Sequence, residues 1–267
     1  MNMETESINK SRIGKNVIIP VILLLAFLIY YTIMAMLSPV KKKDAITKEY
    51  SFIQDEKNII DEQIFADSTY LKLLKEKSFL QSRIAMAETD SIYLTINLSD
   101  SIVSLEISGV AVHTSRVKRS DISKILKSGN EYIISSMLAR PFTIEKNYSS
   151  IPKEPLMIKM APKDTSEYQP DIIPDTADYE PVNFIMQIEN GFHIFIYQDE
   201  KLNFGDGIHR LIFDMLNRFR DTFHSLKSVV TFRIPEYHPY IKVRLPRTDA
   251  KIIYRALPEH GQIAVYL

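Results

Sequence analysis

The chain contains no cysteine among its 267 residues, and it has only 7 glycines and no tryptophan. Without cysteine there is no disulfide, no thiolate nucleophile and no thiolate-bound metal. Neither a GxxxxGK[ST] string nor a GxGxxG string occurs, so the familiar glycine-rich phosphate-binding loops are missing as well. These absences exclude cysteine-dependent catalysis and argue against nucleotide binding.

The chain also lacks an excess of charge of either sign, with 33 basic and 33 acidic residues. The tail, residues 1–15, carries +1 and the three lysines at 41–43 carry +3, so residues 44–267 carry −4. A nucleic-acid-binding surface would require a clustered basic face. We therefore expect no nucleic-acid partner.

Motifs of metal or serine chemistry are missing too. The six histidines form no HExxH motif, and no GxSxG motif occurs. Asp175, Asp178 and Glu180 form an acidic group in a proline-rich stretch, which is typical of a solvated loop. We expect no metal, no cofactor and no enzymatic activity.

One long apolar run is present, at residues 16–37 (NVIIPVILLLAFLIYYTIMAML), and it contains no Asp, Glu, Lys or Arg. At 1.5 Å per residue, about 20 helical residues cross a hydrocarbon core about 30 Å thick. The run is too long for a signal-peptide core, and no small-x-small cleavage site follows it. It predicts a single, uncleaved transmembrane helix.

The flanking lysines do not decide the orientation of this helix, because basic residues lie on both sides of it. The short tail, residues 1–15, and the large remainder favour a cytoplasmic tail and an extracytoplasmic body. The orientation is thus inferred from the length of the tail and not from charge bias.

Residues 44–88 form a charged, helix-favouring stalk without glycine or proline up to residue 87. Its apolar positions follow an imperfect heptad pattern: Ile46, Ile53, Ile60, Ile64, Leu71, Leu74, Leu80 and Ile84. Two interpretations stay open. The stalk is either a coiled coil that forms a homodimer, or a helix whose apolar stripe packs on the following domain. Either way, a fully helical stalk would be a rod about 65 Å long that holds the distal domain away from the bilayer.

Residues 91–267 predict one α+β domain, mainly antiparallel, with a few helices. Alternating patterns predict strands at 92–98, 102–107, 110–113, 183–188, 192–197, 229–234, 240–245 and 262–267. Helical patterns predict helices at 122–128, 203–226 and 248–256, whereas 131–140 fits either a helix or a strand. Residues 141–182 hold seven prolines, which predicts a long loop with one edge strand at 156–160.

The last stretch of the chain, YIKVRLPRTDAKIIYRALPEHGQIAVYL (240–267), resembles the end of the L,D-transpeptidase catalytic domain. In that family an S-x-G-C-[IV]-R-[LM] motif precedes an acidic-Ala helix, a turn and a final strand. NFIMQIENGFHIFIYQ (183–198) is similar to the family's G-aromatic-x-I-H-G segment, and 96–117 is similar to its opening hairpins. The resemblance implies a peptidoglycan-related domain in a bacterial envelope.

The same resemblance implies a lost activity, because the family acts through a cysteine activated by a histidine. Lys242 stands at the cysteine position and Phe195 at the histidine position, while Val243 and Arg244 match the end of the motif. The former groove would then bind ligands without catalysis. Its expected residues are Phe195, Tyr197, Tyr240, Lys242 and Arg244.

Two functions follow as expectations. The first is a bacterial inner-membrane protein whose inactive, L,D-transpeptidase-like periplasmic domain binds peptidoglycan stem peptides or an envelope protein. The second is a structural assembly subunit, made of an anchor, a coiled coil and a dimerisation domain. The two differ in one geometric requirement: the first needs Phe195 and Lys242 on adjacent strands that face one concavity.

Overall fold

The computed structural model describes residues 15–51, 68–153, 181–200 and 204–267. Six α-helices, one short 3-10 helix (Glu189–Gly191) and nine strands lie in these ranges. The helices are α1 (Lys15–Ser51), α2 (Ser68–Ala87), α3 (Lys124–Ser128), α4 (Glu131–Leu138), α5 (Phe204–Val230) and α6 (Arg247–Ala256). The strands are β1 (Tyr93–Asn97), β2 (Ile102–Ile107), β3 (Val110–Arg116), β4 (Arg119–Ile122), β5 (Phe142–Ser149), β6 (Asn183–Ile188), β7 (Phe192–Gln198), β8 (Tyr240–Leu245) and β9 (Gln262–Tyr266).

The nine described strands form one sheet in the order β3-β2-β1-β9-β5-β6-β7-β8-β4. The pairs β1–β9 and β7–β8 are parallel, and the other six pairs are antiparallel. The fold class is therefore α+β with a mainly antiparallel sheet, as the sequence predicts.

Helix α1 is long and apolar enough to cross a membrane, with a window of mean hydropathy 2.5 in which no residue is buried. The exposed apolar side chains distinguish it from the core helix of a soluble protein. The helix does not end at residue 37 but continues through Pro39 to Ser51. Its last turns reach the domain, where Ile46 and Tyr50 are 8% and 5% exposed within the core.

The two described parts of the predicted stalk do not stand clear of the domain. Helix α2 packs against α4 and β9, where Phe79 and Met86 join Tyr93 and Ala264 in a small core. The face of α2 that packs on the domain carries Phe79 and Met86, whereas Leu80 and Ile84 of the predicted heptad pattern are 43% and 62% exposed. The two interpretations of the stalk therefore both stay open. Ile53, Ile60 and Ile64 lie outside the described residues.

Several sequence-based boundaries are wrong. Strand β5 lies in the middle of the sheet, between β9 and β6, whereas residues 141–182 were expected to form a loop. The predicted edge strand at 156–160 lies outside the described residues. Residues 119–122 form a strand instead of a helix start, because they pair with β8 across Ile122 and Ile241. The predicted strand 229–234 is absent, since α5 runs on to Val230 and a turn follows.

The predicted hairpin between β6 and β7 is confirmed. Asn190 and Gly191 adopt the positive φ angles, 62° and 68°, that such a tight connection needs. A Cβ atom at position 191 would also lie 3.0 Å from Glu236 Oε1 and 3.1 Å from His238 Nδ1. Glycine at this position therefore serves both the turn and the close packing of the 236–238 segment.

Candidate functional site

The candidate site is a groove between the end of the sheet and helix α5. Its floor comes from the parallel strands β7 and β8, in which Phe195 is the register partner of Lys242 and Tyr197 that of Arg244. Strand alternation turns these four side chains to one face, while Ile194, Ile196, Ile241 and Val243 point into the core. The predicted adjacency of Phe195 and Lys242 is therefore present.

Strand β4 extends the floor at the edge of the sheet. It pairs with β8 so that Asp121 lies opposite Lys242 and Arg119 opposite Arg244. This contribution comes from the segment that sequence patterns assigned to the start of a helix. The pairing brings a third cation and a carboxylate beside the two basic residues of β8.

The roof of the groove is the charged face of α5. The floor and the roof enclose a cavity of about 510 Å³. Its lining residues are Arg119, Ser120, Asp121, Ile185, Phe195, Tyr197, Arg210, Asp214, Asn217, Arg218, Asp221, Lys242 and Arg244. A cavity of this size accommodates a ligand of small-molecule or short-peptide dimensions.

The lining of the groove is electropositive, because it contains five cations and three carboxylates. Within the described parts of the chain, no carboxylate oxygen lies within 4.0 Å of the charged nitrogens of Arg119, Lys242 or Arg244. These cations are held on neighbouring strands, and none of the described residues forms a salt bridge with them. Such an arrangement favours an acidic ligand, since a carboxylate or phosphate would form charge-assisted hydrogen bonds with them.

Aromatic rings hold the Lys242 ammonium group in the groove. Its Nζ lies 5.3 Å from the centroid of the Phe195 ring and 4.6 Å from that of Tyr240. The two rings meet edge to face at 6.2 Å, and the Tyr240 hydroxyl donates to Asp121 at 3.3 Å. Cation–π contacts orient an ammonium group but leave its N–H donors available. Lys242 can therefore still bind an anion.

Tyr197 joins the floor of the groove to its roof. Its hydroxyl donates to Asp214 Oδ1 on α5 at 2.9 Å, and the Arg210 guanidinium lies 4.8 Å from the centroid of its ring. Burial raises the pKa of Tyr197 above the ordinary tyrosine value, and the negative charge of Asp214 raises it further. The phenol therefore stays protonated and remains a donor.

We expect Tyr197→Phe to lower the free energy of unfolding by about 2 kcal/mol, because a hydrogen bond to a charged acceptor is lost. Amide hydrogen exchange in residues 204–230 should accelerate, since α5 loses a contact with the sheet. Asp214→Asn is the matched control: it keeps an acceptor oxygen and should lose only part of that stability. Unchanged exchange in α5 would contradict a tethering role for Tyr197.

A second cavity of about 670 Å³ continues the groove towards α1 and shares Asp221 with it. In its wall, the rings of His193 and His238 stack at 4.5 Å with an interplanar angle of 8°. The Nδ1 atom of His238 lies 2.9 Å from the Gly191 carbonyl oxygen. Burial lowers the pKa of His193 to about 4, and the charge of His238 contributes to the same shift.

This histidine predicts acid sensitivity. The folded pKa of His193 lies below the unfolded value of about 6.5, so the unfolded chain binds more protons between these two values. Stability should therefore fall as the pH falls through this window, by about 2 kcal/mol from pH 8 to pH 5 on this account. Urea unfolding of the full chain in detergent micelles measures the effect. His193→Gln should remove this part of the slope, whereas the exposed His209→Gln should not.

The five residues expected from the sequence gather at this site. Phe195, Tyr197, Lys242 and Arg244 line the groove, and Tyr240 contacts Lys242 and Phe195 beside it. The residues that sequence reasoning missed come from β4 and α5: Arg119, Asp121, Arg210, Asp214, Asn217, Arg218 and Asp221. The charged residues of α5 recur at helical spacing in the sequence, as Arg210, Asp214, Arg218 and Asp221 show. Helical periodicity alone did not reveal that this charged face covers the sheet.

In the described ranges, no group of three or more His, Asp or Glu side chains is arranged to hold a metal ion. Comparisons with protein-family models, with curated proteins and with solved structures found no match to this chain.

Proposed function

We propose that this chain is a single-pass protein of the bacterial inner membrane whose periplasmic domain binds acidic ligands in the groove and does not catalyse a reaction. One observation carries the proposal: three cations on neighbouring strands, Arg119, Lys242 and Arg244, face one cavity without a carboxylate partner within 4.0 Å among the described residues. Helix α1 supplies the anchor, with residues 1–15 in the cytoplasm.

Two ligand classes fit this chemistry, peptidoglycan stem peptides and an acidic segment of an envelope protein. The L,D-transpeptidase resemblance favours the stem peptide, because that family acts on such peptides in the corresponding groove. The geometry that the resemblance requires is present, since Phe195 and Lys242 are register partners that face one cavity. This agreement supports the proposal.

Binding of a synthetic stem peptide tests the proposal. The full chain is reconstituted in nanodiscs, and titration calorimetry compares the peptide with its free carboxylates against the same peptide with those carboxylates amidated. We expect the acidic form to bind, because the electropositive groove attracts carboxylates. Salt should weaken this binding, because it screens the attraction. Equal binding of both forms, or none, would contradict an anion-binding groove for stem peptides. Pull-down of isolated sacculi extends the test to the polymer.

A second candidate is the assembly subunit, and two exposed apolar surfaces favour it. Leu73, Leu80 and Ile84 form a stripe on α2 and are 59%, 43% and 62% exposed. At the edge of the described sheet, Val110 and Val112 of β3 are 65% and 57% exposed. A helix stripe and an open strand edge are both surfaces on which copies of a chain associate.

Deleting α2 would not test this candidate cleanly, because α2 is part of the folded domain. Substitution of the exposed stripe avoids this problem. In the full chain in nanodiscs, Leu80→Glu with Ile84→Glu should abolish chemical crosslinking between copies if α2 forms a homodimer. Gln81→Glu with Ala85→Glu serves as the control, because both residues are exposed on another side of α2 and the charge changes by the same amount. A chain that does not crosslink before substitution is not an assembly subunit of this kind.

A further inference from the structure

Helix α5 has its apolar face turned outward. Its charged residues form the roof of the groove, and its apolar residues recur at spacings of three and four on the opposite side. Leu211, Met215, Phe219, Phe223, Leu226 and Val230 are between 38% and 68% exposed. An amphipathic helix in a soluble protein normally buries its apolar stripe against the core. Here the stripe lacks a protein partner in the described part of the chain, along a helix about 40 Å long.

The end of this stripe lies against the apolar helix α1. After α5 the chain turns at Phe232, which has a positive φ of 57° and is 82% exposed. The ring of Phe232 lies 6.0 Å from the ring of Tyr30. Three residues further on, the Pro235 carbonyl accepts a hydrogen bond from Ser38 Oγ at 2.7 Å. These contacts fix the C-terminal end of α5 beside α1.

The position of Tyr30 gives the depth of this contact. Tyr30 precedes the end of the apolar run at Leu37 by seven residues, which is about 10 Å along a helix. Phe232 therefore lies on the bilayer side of Leu37, the residue at which the apolar run ends. Lys41 and Lys42 lie in the wall of the neighbouring cavity with Phe232, at the height expected for lipid headgroups.

We propose that the apolar face of α5 lies in the outer interface of the same bilayer that α1 spans, so that lipid covers it. The inference rests on α1 being the anchor proposed above. Interfacial helices bury their apolar face about 5–10 Å into the boundary between headgroups and acyl chains. The contact of Phe232 with Tyr30 places the end of α5 at this depth. A lipid surface fits the stripe better than a second copy of the chain, because Phe232, just beyond the end of the stripe, contacts Tyr30 inside the apolar run of α1.

The absence of cysteine makes the test direct, since any single introduced thiol can be labelled alone. Four full-length variants, Phe219→Cys, Phe223→Cys, Val112→Cys and Leu24→Cys, are labelled with a polarity-sensitive fluorophore and reconstituted into vesicles. Lipids with a nitroxide on the acyl chain then quench any fluorophore within the bilayer. All four native side chains are at least 57% exposed, so these substitutions leave the core intact.

We expect the labels at positions 219 and 223 to be quenched by a fraction comparable to that of the label at 24, and the label at 112 to be unaffected. If the label at 24 is not quenched, α1 does not lie in the bilayer, and both the proposed anchor and the membrane placement of α5 are wrong. If the label at 24 is quenched but those at 219 and 223 emit as in water, the membrane placement of α5 is wrong.

Two further outcomes would also overturn the inference. Disulfide crosslinking of Phe223→Cys between chains, without quenching, would show that a second copy covers α5. A shielded but unquenched label without crosslinking would show that another part of the same chain covers it. Neither outcome would affect the proposed ligand binding in the groove, which is measured separately.

Discussion

Replacement of both Lys242 and Arg244 by glutamine should weaken binding of the acidic stem peptide at least about 100-fold, because each residue supplies a charge-assisted hydrogen bond worth about 1.5–3 kcal/mol. The two residues lie two positions apart on β8 and face the groove together with Arg119. They are half-buried and do not form the core, so the fold should persist.

The matched control is the double variant Lys124→Gln with Lys127→Gln. These lysines are exposed on α3 and do not line the groove, yet their loss changes the net charge by the same amount. The control should bind the peptide like the parent chain. Equal weakening in both variants would show that overall charge attracts the peptide and that the groove does not select it.

Arg83→Met should lower the free energy of unfolding by about 3–5 kcal/mol, because it leaves a buried carboxylate without its counter-ion. Glu106 is only 4% exposed in β2, and its Oε2 accepts from Arg83 Nε at 3.1 Å and from Nη2 at 3.0 Å. Thr95 Oγ1 donates to the other oxygen at 2.9 Å. The ion pair between Arg83 and Glu106 thus holds α2 against the sheet.

Two comparisons sharpen this prediction, both measured by urea unfolding of the full chain in micelles. Lys75→Met removes a partly exposed ion pair with Glu131 and should cost less than about 1 kcal/mol. Adding Glu106→Gln to Arg83→Met should restore part of the stability, because no charge then remains buried. If Arg83→Met lowers the free energy of unfolding no more than Lys75→Met does, Arg83 does not stabilise the buried carboxylate of Glu106.

The parts of the fold that the sequence predicted are those with strong local signals. Asn190 and Gly191 mark the β6–β7 hairpin because few other residues tolerate positive φ there. Strand β8 was predicted with its correct bounds, 240–245, because its alternating pattern matches a half-buried strand. The same signals predicted the strands that carry Phe195 and Lys242, whereas the L,D-transpeptidase resemblance singled out these two residues.

The elements that were predicted wrongly from the sequence depend on tertiary pairing. Strand β5 has a mixed sequence, FTIEKNYS, and becomes central only because β9 and β6 lie on either side of it. Residues 119–122 form a strand because β8 offers an open edge. For α5, periodicity identified two faces but not their surroundings, since an apolar stripe looks the same whether protein or lipid covers it. The groove's roof could therefore not be assigned from the sequence.

The continuity of α1 limits how far the domain can reach. Because one helix runs from Lys15 to Ser51 and its final turns are buried in the core, no flexible tether separates the anchor from the body. A compact unit of about 180 residues is roughly 40 Å across. If α1 is the anchor, the groove stays within the layer of solvent next to the bilayer, and any molecule that binds in it has to reach that layer.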